Sequence, residues 1–145
     1  MAQKDTFDLA DFLPYMLNQA AEGSSLAFQQ IYKGRYGMLR AEWRVLFHLG
    51  MYGQLTAKEI SQRSKIHKTK VSRAVQKLAA RRFLTRTRDD RDRRSEHLAL
   101  TPAGMAAYMD LRKVAEEYDD KLEAQFTRGE VAMLRVMLRR LAGMA

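Results

Sequence analysis

The chain has 145 residues, of which 46% are hydrophobic and 30% are charged, and its formal net charge is +9. This length allows a single domain with a sizeable buried core, and the composition excludes collagen-like, disordered and low-complexity proteins. Because there is no cysteine, the sequence also excludes disulfides, thiolate metal sites, cysteine nucleophiles and thiol-based redox sensing.

Two further classes of protein are not expected. No basic segment followed by an apolar run opens the chain, and no stretch approaches the roughly 20 apolar residues of a membrane span, so we expect a cytoplasmic protein without a membrane partner. The three histidines have no metal-ligand spacing, and no convergent catalytic set is recognisable. We therefore expect no metal site, no cofactor and no enzymatic activity.

The N-terminal region predicts one amphipathic helix. Apolar residues recur at spacings of three and four from Leu9 to Ala20, and the pattern continues through Ile31. Gly34 and Gly37 are expected to interrupt this helix.

Two shorter helices are predicted next. The second runs from about Arg40 to Met51 and is closed by Gly53. The third begins at Thr56, because Thr56 and Glu59 have the spacing of a capping box. It ends at a short break around residues 64–66.

A basic fourth helix follows, from His67 to Arg81. Val71, Ala74, Val75 and Leu78 share one arc of its helical wheel, which predicts a buried face. Polar residues occupy the opposite face: Lys68, Thr69, Lys70, Ser72, Arg73, Gln76 and Lys77.

The period then changes from helical to alternating. Residues 83–88 and 96–100 are short strand candidates, and the wholly charged segment 89–94 separates them, so we predict a hairpin with a protruding tip. Thr101 and Pro102 mark the start of a long fifth helix, and Thr127 with Glu130 forms a second capping box that opens a last helix.

Positive charge is concentrated in one part of the chain. The 29 residues from Ile60 to Arg88 contain ten Lys or Arg and no acidic residue, so the remainder of the chain is close to neutral. Such a segment suits a polyanion, because each phosphate neutralised by Lys or Arg releases counterions. By charge alone, a solvated basic face is an equally good interpretation.

The order of elements favours the polyanion. A helix-turn-helix followed by a hairpin is a winged helix, whose second motif helix enters the major groove of DNA with its N-terminal exposed residues at the base edges. The candidate base contacts are Lys68, Thr69, Lys70, Ser72, Arg73 and Gln76, and Lys77 is a candidate phosphate contact. At the hairpin tip, Asp92 is expected to hold Arg93 or Arg94 extended for a narrow minor groove.

The outer helices predict a dimer. They carry a larger apolar seam than one small core can cover, and a monomer would leave it exposed. The seam comprises Phe12, Met16, Tyr108, Tyr118, Leu122, Leu134, Leu138 and Leu141. The alternative is that these side chains fold back on the core.

Several of these segments together resemble the MarR family of winged-helix transcriptional regulators. The resemblance rests on Thr69-Lys70-Val71-Ser72-Arg73, Leu78, Asp90-Arg91-Asp92-Arg93-Arg94, and Leu98-x-Leu100-Thr101-x-x-Gly104. It implies a mainly α fold with a β-hairpin wing, and a single domain over residues 1–145. Within it, residues 39–101 form a DNA-binding lobe, and helices at about 8–33 and 102–143 form the dimer.

The resemblance also implies a function. It implies a homodimeric repressor on a pseudo-palindromic operator in double-stranded DNA, with Arg94 in the minor groove, released by a small aromatic or phenolic acid. The implied effector pocket lies between the dimer helices and the DNA-binding lobe, where Tyr36, Arg40, Trp43 and His48 are the candidates. The alternative function is a helical module that binds an acidic protein or RNA through its basic strip.

Two residues depart from the family pattern. Lys65 stands in the turn of the motif, and Arg82 stands at the end of the recognition helix, where the family often has glycine. A non-glycine residue at positive φ is strained, so we expect the backbone at these positions to differ from the family's.

Overall fold

A computed structural model describes residues 6–92 and 94–143 of the chain. Six α-helices and three short strands follow one 3-10 turn at Leu9–Asp11. The helices are α1 (Leu13–Tyr36), α2 (Arg40–Tyr52), α3 (Ala57–Ser64), α4 (Lys68–Ala80), α5 (Pro102–Glu123) and α6 (Arg128–Leu141). The strands are β1 (Leu55–Thr56), β2 (Leu84–Arg88) and β3 (Glu96–Leu100). The predicted mainly α fold with a hairpin wing is confirmed.

The three strands form one antiparallel sheet in the order β1-β3-β2. In the hairpin, Leu84 pairs with Leu100 and Arg88 with Glu96. Strand β1 was not predicted, because two residues are too few to show an alternating pattern. It forms where buried Leu55 pairs with buried Leu98, which closes the sheet beside the start of α3.

The two predicted capping boxes are confirmed, whereas the first α-helix begins at Leu13 and not at Leu9, where the chain forms a 3-10 turn. The Thr56 hydroxyl accepts a hydrogen bond from the Glu59 N–H at 3.2 Å, and the Glu59 carboxylate accepts one from the Thr56 N–H at 3.2 Å. Thr127 and Glu130 repeat this arrangement at α6. These side chains satisfy backbone donors that have no partner within the helix.

The predicted interruption at Gly34 is wrong. Helix α1 runs through Gly34 and ends at Gly37, whose φ of +62° is left-handed. The two glycines differ in their place in the helix. Gly34 lies within α1, whereas Gly37 is its C-cap, and the Gly37 N–H bonds to the Lys33 carbonyl at 2.8 Å.

The core lies among the second half of α1, helices α2, α3 and α4, the sheet and the first half of α5. All four residues of the predicted apolar face of α4 are buried there. Tyr108, which we expected in the dimer seam, is also buried, so for this residue the alternative of folding back on the core holds. Gly50 leaves the space for its ring, because a Cβ on Gly50 would lie 2.2 Å from the ring carbon Cδ2.

Lys65 and Arg82 both take positive φ, at +59° and +63°. The expectation that the backbone would differ from a glycine-type turn is therefore wrong. Arg82 ends α4 in a Schellman arrangement, in which the Phe83 N–H bonds to the Leu78 carbonyl at 2.9 Å. Local backbone bonds hold both strained residues in place: the Lys65 N–H bonds to the Ser61 carbonyl at 2.9 Å, and the Arg82 N–H bonds to the Ala79 carbonyl at 3.0 Å.

Large apolar side chains remain exposed at the two ends of the chain. Helix α6 has no buried residue in this single chain. The exposed residues at these ends are Phe7, Leu9, Phe12, Leu13, Tyr15 and Met16, and Met133, Leu134, Val136, Met137, Leu138 and Leu141. None of the helices in the described part of the chain is long and apolar enough to cross a membrane.

Candidate nucleic-acid interface

The polar residues predicted on α4 share one solvent-facing surface. All seven are exposed: Lys68, Thr69, Lys70, Ser72, Arg73, Gln76 and Lys77. Among the residues that the structure describes, no ion pair or hydrogen bond restrains any of these seven side chains. This face is therefore free to meet a ligand, while Val71, Val75 and Leu78 hold the opposite face in the core.

The N-terminus of α4 is capped by a residue that the sequence analysis did not single out for this role. The Nδ1 atom of His67 accepts a hydrogen bond from the Thr69 N–H at 3.1 Å. This bond needs an unprotonated Nδ1, so the neutral ring carries its proton on Nε2. The first turn of α4 contains no acidic residue, so no carboxylate of that turn compensates the positive end of the helix dipole.

The turn between α3 and α4 is held by short local bonds. The Ser61 hydroxyl donates to the Ile66 carbonyl at 2.6 Å, and the Ile66 N–H donates to the Ser64 hydroxyl at 3.2 Å. The Ile66 side chain is buried between the two helices. Helix α4 therefore has little freedom to move relative to α3.

Polar pairs connect the two sides of the hairpin that forms the wing. The Nε atom of Arg86 donates to the Glu96 carboxylate at 2.6 Å, and Nε2 of His97 lies 3.2 Å from Oδ2 of Asp89. Asp89 also accepts the backbone N–H of Arg91 at 2.9 Å. That backbone bond, followed by the contact with His97, lowers the pKa of Asp89. These contacts connect the two sides of the hairpin at the base of the wing.

At the wing tip, Asp92 bonds to the backbone of Arg94 and not to its guanidinium. Its Oδ1 atom accepts the backbone N–H of Arg94 at 3.0 Å, and its Oδ2 atom accepts the Ser95 hydroxyl at 3.3 Å. The carboxylate thus shapes the turn. The Arg94 side chain is exposed, and within the described ranges it forms no ion pair. Arg93 lies outside the described residues.

Trp43, one of the four predicted effector residues, belongs to an aromatic cluster on α1, α2 and α5. Its ring centroid lies 5.3 Å from Phe28, 5.8 Å from Tyr32 and 5.1 Å from Phe47. Tyr118 joins the cluster at 5.9 Å from Phe28. Such a cluster offers flat apolar walls to an aromatic ligand.

Two arginines on α2 border this aromatic cluster. The exposed Arg40 has its Nη2 atom 3.5 Å from the Ser25 hydroxyl, and the guanidinium of half-buried Arg44 lies 6.0 Å from the Trp43 ring. Burial lowers the pKa of Arg44, and the nearby charge of Arg40 lowers it further. In the described part of the chain neither arginine pairs with a carboxylate.

Arg44 was not among the predicted effector residues, although its spacing of four residues from Arg40 places both on one side of α2.

The other two predicted effector residues have contacts of their own. The Tyr36 hydroxyl donates to Oδ2 of Asp110 at 2.6 Å, and Nδ1 of His48 lies 2.6 Å from the Arg44 carbonyl. Burial and the neighbouring Asp110 raise the pKa of Tyr36 to about 12. The structure thus brings Arg40 and Trp43 together with Arg44, while the Tyr36 hydroxyl and Nδ1 of His48 are engaged in other contacts.

Sequence comparison decides the family. The MarR family profile matches residues 36–95, from the end of α1 to the wing tip. The HTH-type transcriptional regulator PapX from Escherichia coli is 30% identical over 110 residues, which cover 74% of this chain and 67% of PapX. This chain belongs to the MarR family. It spans 63% and 67% of the length of two curated helix-turn-helix regulators that it matches.

Solved structures show the same fold. BpsR from Bordetella bronchiseptica, a protein whose DNA binding is regulated by 6-hydroxynicotinic acid, superposes with a TM-score of 0.87 at 21% identity, covering 97% of this chain and 100% of BpsR. A mutant MarR from E. coli, complexed with operator DNA, superposes with a TM-score of 0.82 at 19% identity, covering 95% of this chain and 99% of MarR. In this shared fold, α4 is the second helix of the helix-turn-helix and the β2–β3 hairpin is the wing.

Proposed function

We propose that this MarR-family chain is a homodimeric repressor that binds a pseudo-palindromic DNA operator and is released by a small aromatic acid. The observation that carries the proposal is the exposed, unpaired polar face of α4 beside an ordered wing that presents Arg94. The major groove of B-DNA, about 12 Å wide, admits one α-helix. The MarR protein complexed with operator DNA supports this assignment through its shared fold.

Residues of the α4 face have two kinds of role in this proposal. Arg73 and Gln76 suit base edges, because a guanidinium pairs with guanine and an amide with adenine in the major groove. Lys68, Lys70 and Lys77 suit phosphates, which position the protein without reading the sequence.

The exposed apolar residues support the homodimer. The large side chains at residues 7–16 and along α6 would remain in water in a lone chain, and a second copy of the chain would cover them. Such a dimer would place two recognition helices about 34 Å apart, one turn of DNA. A monomeric mass in solution at micromolar concentration would contradict this part of the proposal.

The two arginines on α2 support the proposal that the ligand is an aromatic acid. Arg40 and Arg44 supply positive charge for a carboxylate or phenolate, and Trp43 and its neighbours supply an apolar wall. The regulation of BpsR by 6-hydroxynicotinic acid is consistent with a ligand of this class. The ligand would release DNA only if it binds the DNA-free arrangement of the dimer more tightly than the DNA-bound one.

The alternative function, an interaction module for an acidic protein or RNA, uses the same basic face. The ordered wing favours DNA, because a flat acidic partner gains little from an arginine held at a protruding tip. Binding to duplex DNA and to RNA therefore separates the two proposals.

The experiment is a titration of labelled duplex DNA from the region upstream of the protein's own gene, repeated at several salt concentrations. We expect saturable binding of one dimer, a linear fall of log affinity with log salt, and weaker binding to a shuffled duplex of equal length. Equal affinity for the shuffled duplex, or preference for single-stranded RNA of the same length, would overturn the proposal.

A further inference from the structure

Lys65 joins two parts of the chain that are far apart in sequence. It lies in the turn between α3 and α4, and its ammonium donates a hydrogen bond to the carbonyl of Ala142 at the end of α6. Its Nζ atom also lies 3.7 Å from where a Cβ on Gly143 would stand. The turn that leads into the recognition helix is therefore in direct contact with the C-terminal end of the chain's last helix.

The contact satisfies a group that α6 itself leaves without a partner. The last carbonyls of an α-helix accept no hydrogen bond from within the helix, and they carry its partial negative charge. At the end of α6, the Ala142 N–H bonds to the Leu138 carbonyl at 2.9 Å, while the Ala142 carbonyl accepts from Lys65. An ammonium is well suited to this position, because it donates a hydrogen bond and complements the dipole.

The backbone of Lys65 is strained where it makes this contact. Its φ of +59° lies in the left-handed region, which a residue with a Cβ adopts at a cost. Its N–H closes α3 by bonding to the Ser61 carbonyl at 2.9 Å, and a glycine would do the same without strain. The geometry of the turn therefore does not require a lysine at this position. What the lysine side chain adds is the contact with Ala142.

A movement of Lys65 would be passed directly to α4. Ile66, the next residue, is buried and is bonded to both Ser61 and Ser64. His67 then caps the first turn of α4. Only these two residues separate Lys65 from the recognition helix, and both are held by hydrogen bonds.

We propose that Lys65 is a positioning residue for DNA binding. By holding the end of α6, it fixes the orientation of the recognition helix relative to the helix that carries the exposed apolar stripe. This inference rests on the proposed function, because α6 would pack against the second chain in the proposed dimer. Lys65 would then set the distance between the two recognition helices, and with it the spacing of the operator half-sites that the dimer accepts.

The chain contains a matched control at Arg82, the other non-glycine residue of the described chain with positive φ. Lys65→Gly and Arg82→Gly each remove one positive charge and relieve one strained backbone position, but only the first removes the contact to α6. Lys65→Arg keeps a donor and a charge at the same place. The three variants are compared with the wild type at one ionic strength.

The decisive measurement is binding to a series of operator duplexes whose half-sites are moved apart or together by one or two base pairs. We expect Lys65→Gly to lose about five- to tenfold in affinity for the natural spacing and to discriminate less between spacings. Arg82→Gly should show only the general weakening of one lost charge, with its spacing preference intact. Lys65→Arg should restore the spacing preference. Equal spacing preferences in Lys65→Gly and Arg82→Gly would overturn the inference.

A second measurement needs no DNA. Hydrogen exchange of the backbone amides at residues 138–143 should be faster in Lys65→Gly than in Arg82→Gly, because the end of α6 is released. Unchanged protection there would overturn the inference even if the wild type bound no operator. Failure of the wild type to prefer any inverted repeat would overturn the proposed function instead, so the two failures are distinguishable.

Discussion

The phenolic hydroxyl of Tyr36 donates a hydrogen bond of 2.6 Å to Oδ2 of Asp110 and so joins the end of α1 to α5. Arg35 adds a bifurcated contact, in which its Nη1 atom lies 2.9 and 3.0 Å from the two oxygens of the same carboxylate. Burial, together with the bond to Asp110, raises the pKa of Tyr36 to about 12. The bond from Tyr36, followed by that from Arg35, lowers the pKa of Asp110.

These shifts predict how Tyr36→Phe changes the pH dependence of stability. A raised tyrosine pKa stabilises the fold fully below the ordinary value near 10, and this contribution is lost as the pH rises toward about 12. A lowered carboxyl pKa stabilises the fold above its ordinary value near 3.8, and this contribution is lost as the pH falls below it. Tyr36→Phe should therefore flatten the stability profile at both ends, measured by urea unfolding from pH 3 to 11.

Tyr52→Phe is the control, because it removes the hydroxyl of an exposed tyrosine on α2. The same flattening in both variants would contradict the assignment to the contact between Tyr36 and Asp110.

Gly104→Ala should destabilise the junction of α5 with the sheet. A Cβ on Gly104 would lie 1.9 Å from the Phe83 carbonyl oxygen. That oxygen is held in place by the Thr101 N–H at 3.1 Å, so it cannot retreat freely. We expect a loss of about 1–3 kcal/mol or more in the free energy of unfolding, measured by thermal or urea denaturation.

Gly34→Ala is the control, and we expect it to raise the free energy of unfolding where Gly104→Ala lowers it. Gly34 lies within α1 and has no atom within 4 Å of its would-be Cβ. Alanine there should stabilise the chain by about 0.5–1 kcal/mol, because it lowers the entropy of the unfolded state and favours the helix. Destabilisation by both alanines would show that the predicted clash at Gly104 is not the cause.

Arg73→Ala and Lys77→Ala should weaken operator binding in different ways. If Arg73 pairs with a base, its loss should cost about 1–3 kcal/mol and relax the preference at one base pair. Loss of a phosphate contact at Lys77 should weaken all sequences alike and make the salt slope shallower by about one. Titrations against a set of single-base-pair variants of the operator, at several salt concentrations, measure both effects. A uniform loss in Arg73→Ala would assign that side chain to a phosphate.

Asp92→Ala should lower operator affinity although it removes a negative charge next to DNA. The Asp92 carboxylate holds the backbone of Arg94 and the Ser95 hydroxyl, so its loss loosens the wing tip. Asp90→Ala makes the same charge change at an exposed neighbour in the same loop. We expect Asp90→Ala to bind the operator equally or more tightly, and equal gains in both variants would show that Asp92 acts only through its charge.

Arg40→Ala and Arg44→Ala should each reduce the response to an aromatic acid while leaving DNA binding in its absence close to that of the wild type. The two guanidiniums border Trp43 and have no carboxylate partner among the described residues, so they are available to a ligand anion. The measurement is the concentration of 6-hydroxynicotinic acid or a related hydroxy-aromatic acid that releases half of the bound operator. Arg112→Ala, whose side chain pairs with Glu116 on α5, is the control. An unchanged release curve in both α2 variants would exclude this site.

Much of the fold could be predicted because its signals are local. A capping box such as Thr56 with Glu59 needs only residues within one turn, and the buried face of α4 follows from helical spacing. For the same reason the exposed residues of α4 were identified correctly as one surface. Strand β1 escaped prediction because it exists only through its pairing with β3, a segment some forty residues later in the chain.

The chain order of apolar and polar residues by itself determined the helices, the wing and the basic face of α4, because each depends on the geometry of a short stretch of backbone. Only the tertiary structure decided that Tyr108 fills the space above Gly50 and that Asp92 bonds to backbone. It alone also brought Lys65 to the end of α6. These contacts depend on which distant segments meet when the core closes, and no local pattern encodes the distance between them.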